Sequence, residues 1–304
     1  MSSHVAPGDR VTSGLDRRAE LREFLRSRRA RLRPEDVGLP SYGRRRVPGL
    51  RREELAQLAG VSYAYYARLE QGYGETMSAE VLDAVARALR LNEEERDHLT
   101  QLAQPERQSA TRSVSPPQRL RPSVQHLLDA LCVPAYVLDL RLNILGWNRL
   151  ATTVFGDFGR LPPEERNTAR LIFLSSETRE RFIDPDRVAR RVAAVVRTNA
   201  GRSPGDPHFS SLVQELSQKS EQFRQLWAQH EVSSENARES LRMRHPLVGE
   251  FDLVHEPMAL SGGARIRLMT YHAEPGSRSE EALRMLASWA MEPLNREPGP
   301  GPRP

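Results

Sequence analysis

Apolar residues recur at Leu21, Phe24, Leu25 and Leu32, a spacing that predicts a helix over about Arg17–Arg33. Pro34 to Gly49 carries three prolines and three glycines and reads as a loop. Four short helical patterns follow: Arg51–Ala59, Ser62–Gln71, Ser78–Arg90 and Asn92–Ala103. Ser62, Ser78 and Asn92 stand where a side chain would cap orphan backbone N–H groups, and Glu95 completes a capping box with Asn92. The stretch PERQSATRSVSPPQRLRP, Pro105 to Pro122, has no apolar period and reads as a linker.

The periodicity then changes. Ala135–Leu140 and Asn143–Trp147 read as two short strands joined by a turn, and Asn148–Phe155 as a helix. Asp184-Pro185 opens another helix, with Asp as cap and Pro in the first turn, and Val188, Val192, Val195 and Val196 form its apolar face. Asp206-Pro207 repeats the device ahead of Phe209, Leu212, Val213 and Leu216, and a further helix carries Phe223, Leu226 and Trp227. Ser240–His245, Phe251–Glu256 and Arg265–His272 are strand-like, and a last helix runs from about Ser279 to Ala290. Because the late strands are consecutive, an antiparallel sheet is expected. The organisation predicted is a disordered lead-in (1–16), an all-α five-helix domain (17–104), a linker (105–122), an α+β domain (123–290) and a disordered tail (291–304).

Charge distribution sharpens the picture. The chain of 304 residues has a formal net charge of +5. Between Arg10 and Arg52 fourteen arginines face five acidic residues, whereas Val61–Pro105 has four basic against eight acidic. The positive field is therefore concentrated near the N-terminus, where an arginine's planar fork suits phosphate. The single cysteine, Cys132, excludes an intrachain disulfide and fits a reducing, cytoplasmic setting. No apolar run approaches the roughly 20 residues of a membrane span, and Met1–Gly14 lacks a signal peptide's apolar stretch.

The segment GLRREELAQLAGVSYAYYARLEQG, Gly49 to Gly72, has the parts of two short helices joined by a tight turn. Leu55 and Leu58 give the first helix a buried face, Ala56 permits close crossing, Gly60 turns the chain, and Val61 fills the gap. On the second helix Tyr66 and Leu69 point inward, leaving Tyr63, Ala64, Ala67 and Arg68 outward. This frame resembles the Xre/Cro helix-turn-helix regulators, carried by Leu55-Ala56, Gly60-Val61-Ser62, Tyr66 and Leu69-Glu70-Gln71-Gly72. Arg52 stands where that family usually has a glutamine that contacts phosphate. The resemblance implies a double-stranded DNA operator as partner. Arg44, Arg45, Arg46, Arg51, Arg52, Ser62, Tyr63, Ala64, Ala67 and Arg68 are then the residues expected at DNA. The Arg44–Arg46 run fits either a solvated loop or a basic arm on phosphate or in a minor groove.

The stretch AYVLDLRLNILGWNRLATTVFG, Ala135 to Gly156, resembles the opening of a PAS-type sensor: two strands, a Trp-Asn step and a short helix. With RNTARLIFL at Arg166–Leu174, QFRQLWAQHEV at Gln222–Val232, RHPLVGEFDL at Arg244–Leu253 and TYHAEPGS at Thr270–Ser277, the chain resembles the MmyB-like regulators. That resemblance implies a PAS-like ligand-binding domain taking a small hydrophobic ligand, a fatty acid being one type. A pocket of this kind is apolar with few polar anchors. Trp147, Ile172, Phe173, Phe182, Trp227 and Met269 are candidate walls, each of which also reads as core; Asn148, Arg170, His245 and Tyr271 are candidate anchors, each of which also reads as a surface or capping residue. A homodimer is expected, since one module reads few base pairs. The alternative is a second domain that only dimerises. Gly201-Arg202-Ser203-Pro204-Gly205 spells G-x-S-x-G, but it follows a helix and has proline after the serine, so it reads as a turn and not a nucleophile elbow. No metal-ligand spacing and no phosphate-binding glycine loop is present, so no cofactor, metal or enzymatic activity is expected.

Overall fold

The computed structural model describes residues 16–39, 49–104, 120–203, 206–233, 239–260 and 266–291. The predicted lead-in apart from Asp16, Arg44–Arg46, the linker over 105–119 and the tail beyond Met291 lie outside them. In chain order the helices begin with α1 (Arg17–Arg31), α2 (Arg52–Leu58), α3 (Tyr63–Glu70), α4 (Ala79–Ala88) and α5 (Glu93–Ala103). After α6 (Pro122–Ala130) come β1 (Ala135–Leu138) and β2 (Ile144–Trp147). Next are α7 (Arg149–Phe155), α8 (Thr168–Leu174), α9 (Ser176–Glu180), α10 (Pro185–Arg202), α11 (Pro207–Lys219) and α12 (Glu221–Ala228). The chain closes with β3 (Glu239–His245), β4 (Gly249–Leu260), β5 (Ile266–His272) and α13 (Arg278–Met291).

The described chain divides into two units: Met1–Arg112 with Ala193–Ser234, and Ser113–Val192 with Glu235–Pro304. In the helical unit the predicted caps form. Ser62 accepts the Tyr65 N–H (3.2 Å), Ser78 the Val81 N–H (3.3 Å), and Asn92 and Glu95 exchange backbone N–H bonds (2.8 and 3.1 Å). Leu21, Phe24 and Leu25 of α1 pack with Leu55, Tyr66, Leu69, Leu82, Val85, Leu99 and Leu102 in one core.

Within the span that the sequence predicts as one domain, 123–290, the stretch Ala193–Ser234 groups with the helical unit. Polar contacts explain this. Arg197, 2% exposed, pairs with Glu20 of α1 and donates to the Trp227 carbonyl. Arg28 pairs with Glu95 at 2.7 Å and donates to the His230 carbonyl, and Arg31 donates to that of Gln229 (3.0 Å). Gly201 lies so close to His98 that a Cβ there would stand 2.7 Å from its ring. Buried ion pairs between distant stretches leave no periodic trace in a sequence.

The second unit is built on a five-stranded antiparallel sheet in the order β2-β1-β5-β4-β3. Each strand covers most of its predicted span, and β4 runs longer, to Leu260. The helix α6 was not anticipated: it is short and follows the Pro/Arg-rich stretch. Pro122 in its first turn and the buried pair Val124 and Leu128, four residues apart, are the signals that mark it.

Candidate functional site

The first site is the outer face of α3. After α2 the chain turns through Gly60, at φ +66°, where a left-handed backbone favours glycine. The Val61 N–H returns to the Ala56 carbonyl (3.0 Å), and Ser62 caps α3. Tyr66 and Leu69 are buried, as their spacing predicts, which turns Tyr63, Ala64 and Arg68 to solvent and leaves Ala67 half-buried. Tyr63 is 51% exposed. Arg68 lies 5.9 Å above the Tyr73 ring. Arg51 is exposed just before α2, its N–H bonded to Glu54 (2.7 Å).

Glu70, part of the motif but with no role assigned from sequence, organises this face. It is 1% exposed and receives a bidentate pair from Arg29, Nε at 3.0 Å and Nη2 at 2.8 Å. Arg52 adds a third bond, Nε at 3.0 Å. Burial alone would raise the Glu70 pKa, but these bonds hold it below the ordinary carboxylate value. Arg29 also donates to the Leu50 carbonyl (2.6 Å). The first residue of α2 is thus tied to the last of α3, and the angle between the two helices is set by ionic bonds as well as packing. The Arg52 side chain, expected at phosphate, is 45% exposed and spends its Nε on this tie.

The second site is a cavity in the sheet unit. Its walls are the β1 residue Tyr136, Ile144 of β2, Phe155 at the end of α7, Phe158, and Leu171 and Ile172 of α8. Thr178, Arg181 and Phe182 of the α9 stretch and Thr168 complete it. Its volume is about 40 Å³, small against the several hundred of typical ligand pockets. Aromatic rings meet edge-on behind it: Tyr136 lies 5.7 Å from Phe155 and 6.0 Å from Phe158.

Of the ligand residues expected from sequence, Ile172 and Phe182 line this cavity, and the other expected walls and anchors do not. The hydroxyl of Tyr271 bonds that of Tyr136, and its ring packs on Phe155 at 4.7 Å, so it backs the wall. Trp147 packs on Phe158 at 5.6 Å, one layer out, and Phe173 is buried outside the lining. Asn148 is a structural residue. Its oxygen accepts from Ala151 (2.9 Å) and Ala135 (3.1 Å), and its amide donates to the carbonyls of Val133 (2.7 Å) and Leu131 (3.3 Å). Those four bonds exhaust the side chain's capacity. His245 bonds the Thr153 carbonyl through Nε2 (3.1 Å) and accepts the Leu247 N–H at Nδ1 (3.2 Å), the pattern of a neutral ring. Burial lowers its pKa against the pull of that carbonyl. Arg170 donates to the Glu164 carbonyl (2.8 Å) and is not in the lining. Trp227 belongs to the other unit, stacked on Phe223 at 5.4 Å with Arg197 3.9 Å above its ring.

The residues that sequence reasoning missed are Tyr136, Phe155, Phe158 and Arg181. Phe155 and Phe158 flank Gly156, the glycine that closes the PAS-like opening motif, and that proximity was their one available signal. Arg181 had none. Of the G-x-S-x-G stretch, Gly201 and Arg202 end α10, Ser203 follows, and Pro204 and Gly205 lie outside the described residues. Among the described residues no His, Cys, Asp and Glu cluster could hold a metal, and no helix is long and apolar enough to cross a membrane.

Residues 20–99 match the family described as a helix-turn-helix domain, and residues 120–286 match the MmyB-like transcription regulator ligand binding domain. No curated protein matches the chain. The second match covers more than half of the sequence and follows the helix-turn-helix, giving a DNA-binding domain followed by a ligand-sensing one. The chain belongs to the MmyB-like helix-turn-helix transcription regulators.

Proposed function

We propose that this regulator binds a palindromic operator as a homodimer and that a small amphipathic ligand entering the sheet-unit cavity alters its affinity for that operator. In the DNA half, α3 lies in the major groove with Tyr63, Ala64, Ala67 and Arg68 at base edges, and Arg51, Arg52 and the Arg44–Arg46 run serve phosphate. The observation that carries this half is the outward presentation of Tyr63, Ala64 and Arg68 on a helix whose angle is pinned by Glu70.

In the sensing half, the cavity between Tyr136, Phe158 and Ile172 is apolar and walled by short helices. An antiparallel sheet opening with two strands, Trp147-Asn148 and α7 supports the PAS-like reading. The ligand class placed first is a long-chain fatty acid. With about 40 Å³ of room, such a chain enters only by displacing side chains of the wall. The small volume also favours a second reading, in which this unit is a packed dimerisation scaffold. The protein acts in the cytoplasm and has no enzymatic role in either reading.

Native mass spectrometry of protein purified from its host tests both halves together. A dimer carrying a stoichiometric small hydrophobic molecule is expected. A ligand-free protein whose melting temperature no amphiphile raises would leave the scaffold reading in place.

A further inference from the structure

Beside the last turn of α3, two arginines share one aromatic ring. The guanidinium carbon of Arg68 lies 5.9 Å from the centre of the Tyr73 ring, and that of Arg18, in the first turn of α1, lies 4.9 Å from it. A cation at such a distance over a ring face is attracted by the ring's quadrupole. All three side chains are exposed. Arg17, Arg28, Arg29 and Arg52 each hold a carboxylate, but neither Arg18 nor Arg68 makes an ion pair among the described residues. Two like charges that share a ring and lack a carboxylate repel, and an anion brought to both relieves that repulsion.

Local features hold this corner in place. The chain leaves α3 through Gly72, at φ +98°, where a side chain would be strained. Space demands the glycine as well: a Cβ there would stand 2.6 Å from the Arg18 carbonyl oxygen and 2.8 Å from the Arg18 Cβ, so the turn lies directly on the first turn of α1. The Tyr73 N–H returns to the Arg68 carbonyl (3.2 Å), which ties the backbone of the tyrosine to that of the arginine over its ring. Arg17 pairs with Glu75, two residues beyond Tyr73, and Asp16 caps α1 by accepting the Arg18 N–H (3.0 Å). The start of α1 is thus fastened to the turn that follows the recognition helix.

We infer that Tyr73 is the positioning residue that orients Arg68 for base reading, and that Arg18, over the same ring, takes a phosphate of the operator backbone beside the bases that Arg68 reads. A long arginine side chain in solvent samples many rotamers, and ordering it on binding is costly; a ring that holds it beforehand reduces that loss. A phosphate contact by Arg18 fixes the placement of the protein on the duplex without itself carrying sequence. The DNA-contacting surface then extends from α3 to the first turn of α1, a helix outside the helix-turn-helix itself. This rests on α3 lying in the major groove with Arg68 at a base edge. It goes further by naming the residue that orients Arg68 and the second cation that the ring holds.

The test uses the full-length protein on a duplex selected from a random pool and on single-base-pair variants of it. The base pair at which Arg68→Ala relaxes preference marks the Arg68 contact, and the salt dependence of affinity reports phosphate contacts. Tyr73→Leu removes the ring and should lower discrimination at that base pair about 2- to 5-fold, the span of one exposed cation–π contact, while leaving the other base pairs as they are. A tyrosine with only a structural role would blur all of them together. Tyr73→Phe keeps the ring and should keep the wild-type preference. Arg18→Ala should weaken all duplexes alike and reduce the salt slope by about one. Melting curves confirm that each variant is folded. If Tyr73→Leu discriminates as wild type does, or loses preference equally at every base pair, the positioning role is overturned. If Arg18→Ala leaves the salt slope unchanged, the phosphate contact is overturned. If Arg68→Ala itself relaxes preference at no base pair, it is the docking of α3 that fails.

Discussion

Arg197→Ala should destabilise the helical unit by more than its distance from the recognition helix suggests. In the wild type burial would push the Glu20 pKa up, but the His230 ring, 3.8 Å away, and the Arg197 guanidinium together hold it at about 2, against an ordinary 4.5. A depression of that size corresponds to roughly 3 kcal/mol of native-state stabilisation at neutral pH. Removing Arg197 abolishes its share of this, the His230 ring keeping its own, and leaves the Glu20 carboxylate buried, a situation that costs about 3–5 kcal/mol when one partner of a buried pair is deleted. The Trp227 carbonyl loses its donor and the Trp227 ring its cation as well. Hydrogen exchange of the α1 and α5 amides in the full-length protein isolates the unit concerned; their protection should fall by about two to four orders of magnitude, the equivalent of the 3–5 kcal/mol above. Glu20→Gln combined with Arg197→Ala should cost less than the two single changes added together. If Arg197→Ala lowers protection by less than about 1 kcal/mol and the double variant is additive, the segment Ala193–Ser234 is not held by this pair.

Arg68→Ala should cost about 1–3 kcal/mol on a selected operator and relax base choice; undiminished, equally specific binding would show that α3 docks in another register. Arg52→Ala should weaken all duplexes similarly and reduce the salt slope by about one, and because Arg52 also ties α2 to Glu70 it should lower the melting temperature too. Acid should loosen the helical unit in two steps. His98 is fully buried, and burial lowers its pKa to about 3 from 6.5. The stability it protects is complete above 6.5 and is lost as pH falls toward 3, while that of Glu20 is lost below 4.5 toward 2. His98→Leu should flatten the pH profile of urea stability between pH 6.5 and 5, and an unchanged slope there would count against the buried neutral ring.

Much of the helical unit was legible because its determinants are local. Caps at Ser62, Ser78 and Asn92, the turn at Gly60 and the inward pair Tyr66 and Leu69 follow from adjacent residues. The strands read correctly for the same reason. What escaped depends on the path of the chain. Trp227 and Phe223 read as helical aromatics in any core; that they join Arg197 and Glu20, and not the cavity, is set by a contact between residues 177 apart in the sequence. Asn148 reads equally as a cap or an anchor until its four bonds are counted. Arg181 has no motif: its place beside the cavity arises where a short helix ends against α7.

The central claim, that the sheet unit senses a ligand and reports it at the operator, is tested most directly by one titration. A duplex selected from a random pool is bound by the full-length protein with and without saturating decanoate, followed by fluorescence anisotropy. A ligand shifts the equilibrium only by its difference in affinity between the DNA-competent and DNA-incompetent forms, so a coupling of about 1–3 kcal/mol should change operator affinity about 5- to 150-fold. Operator affinity that stays constant while calorimetry shows the cavity filled would contradict the account.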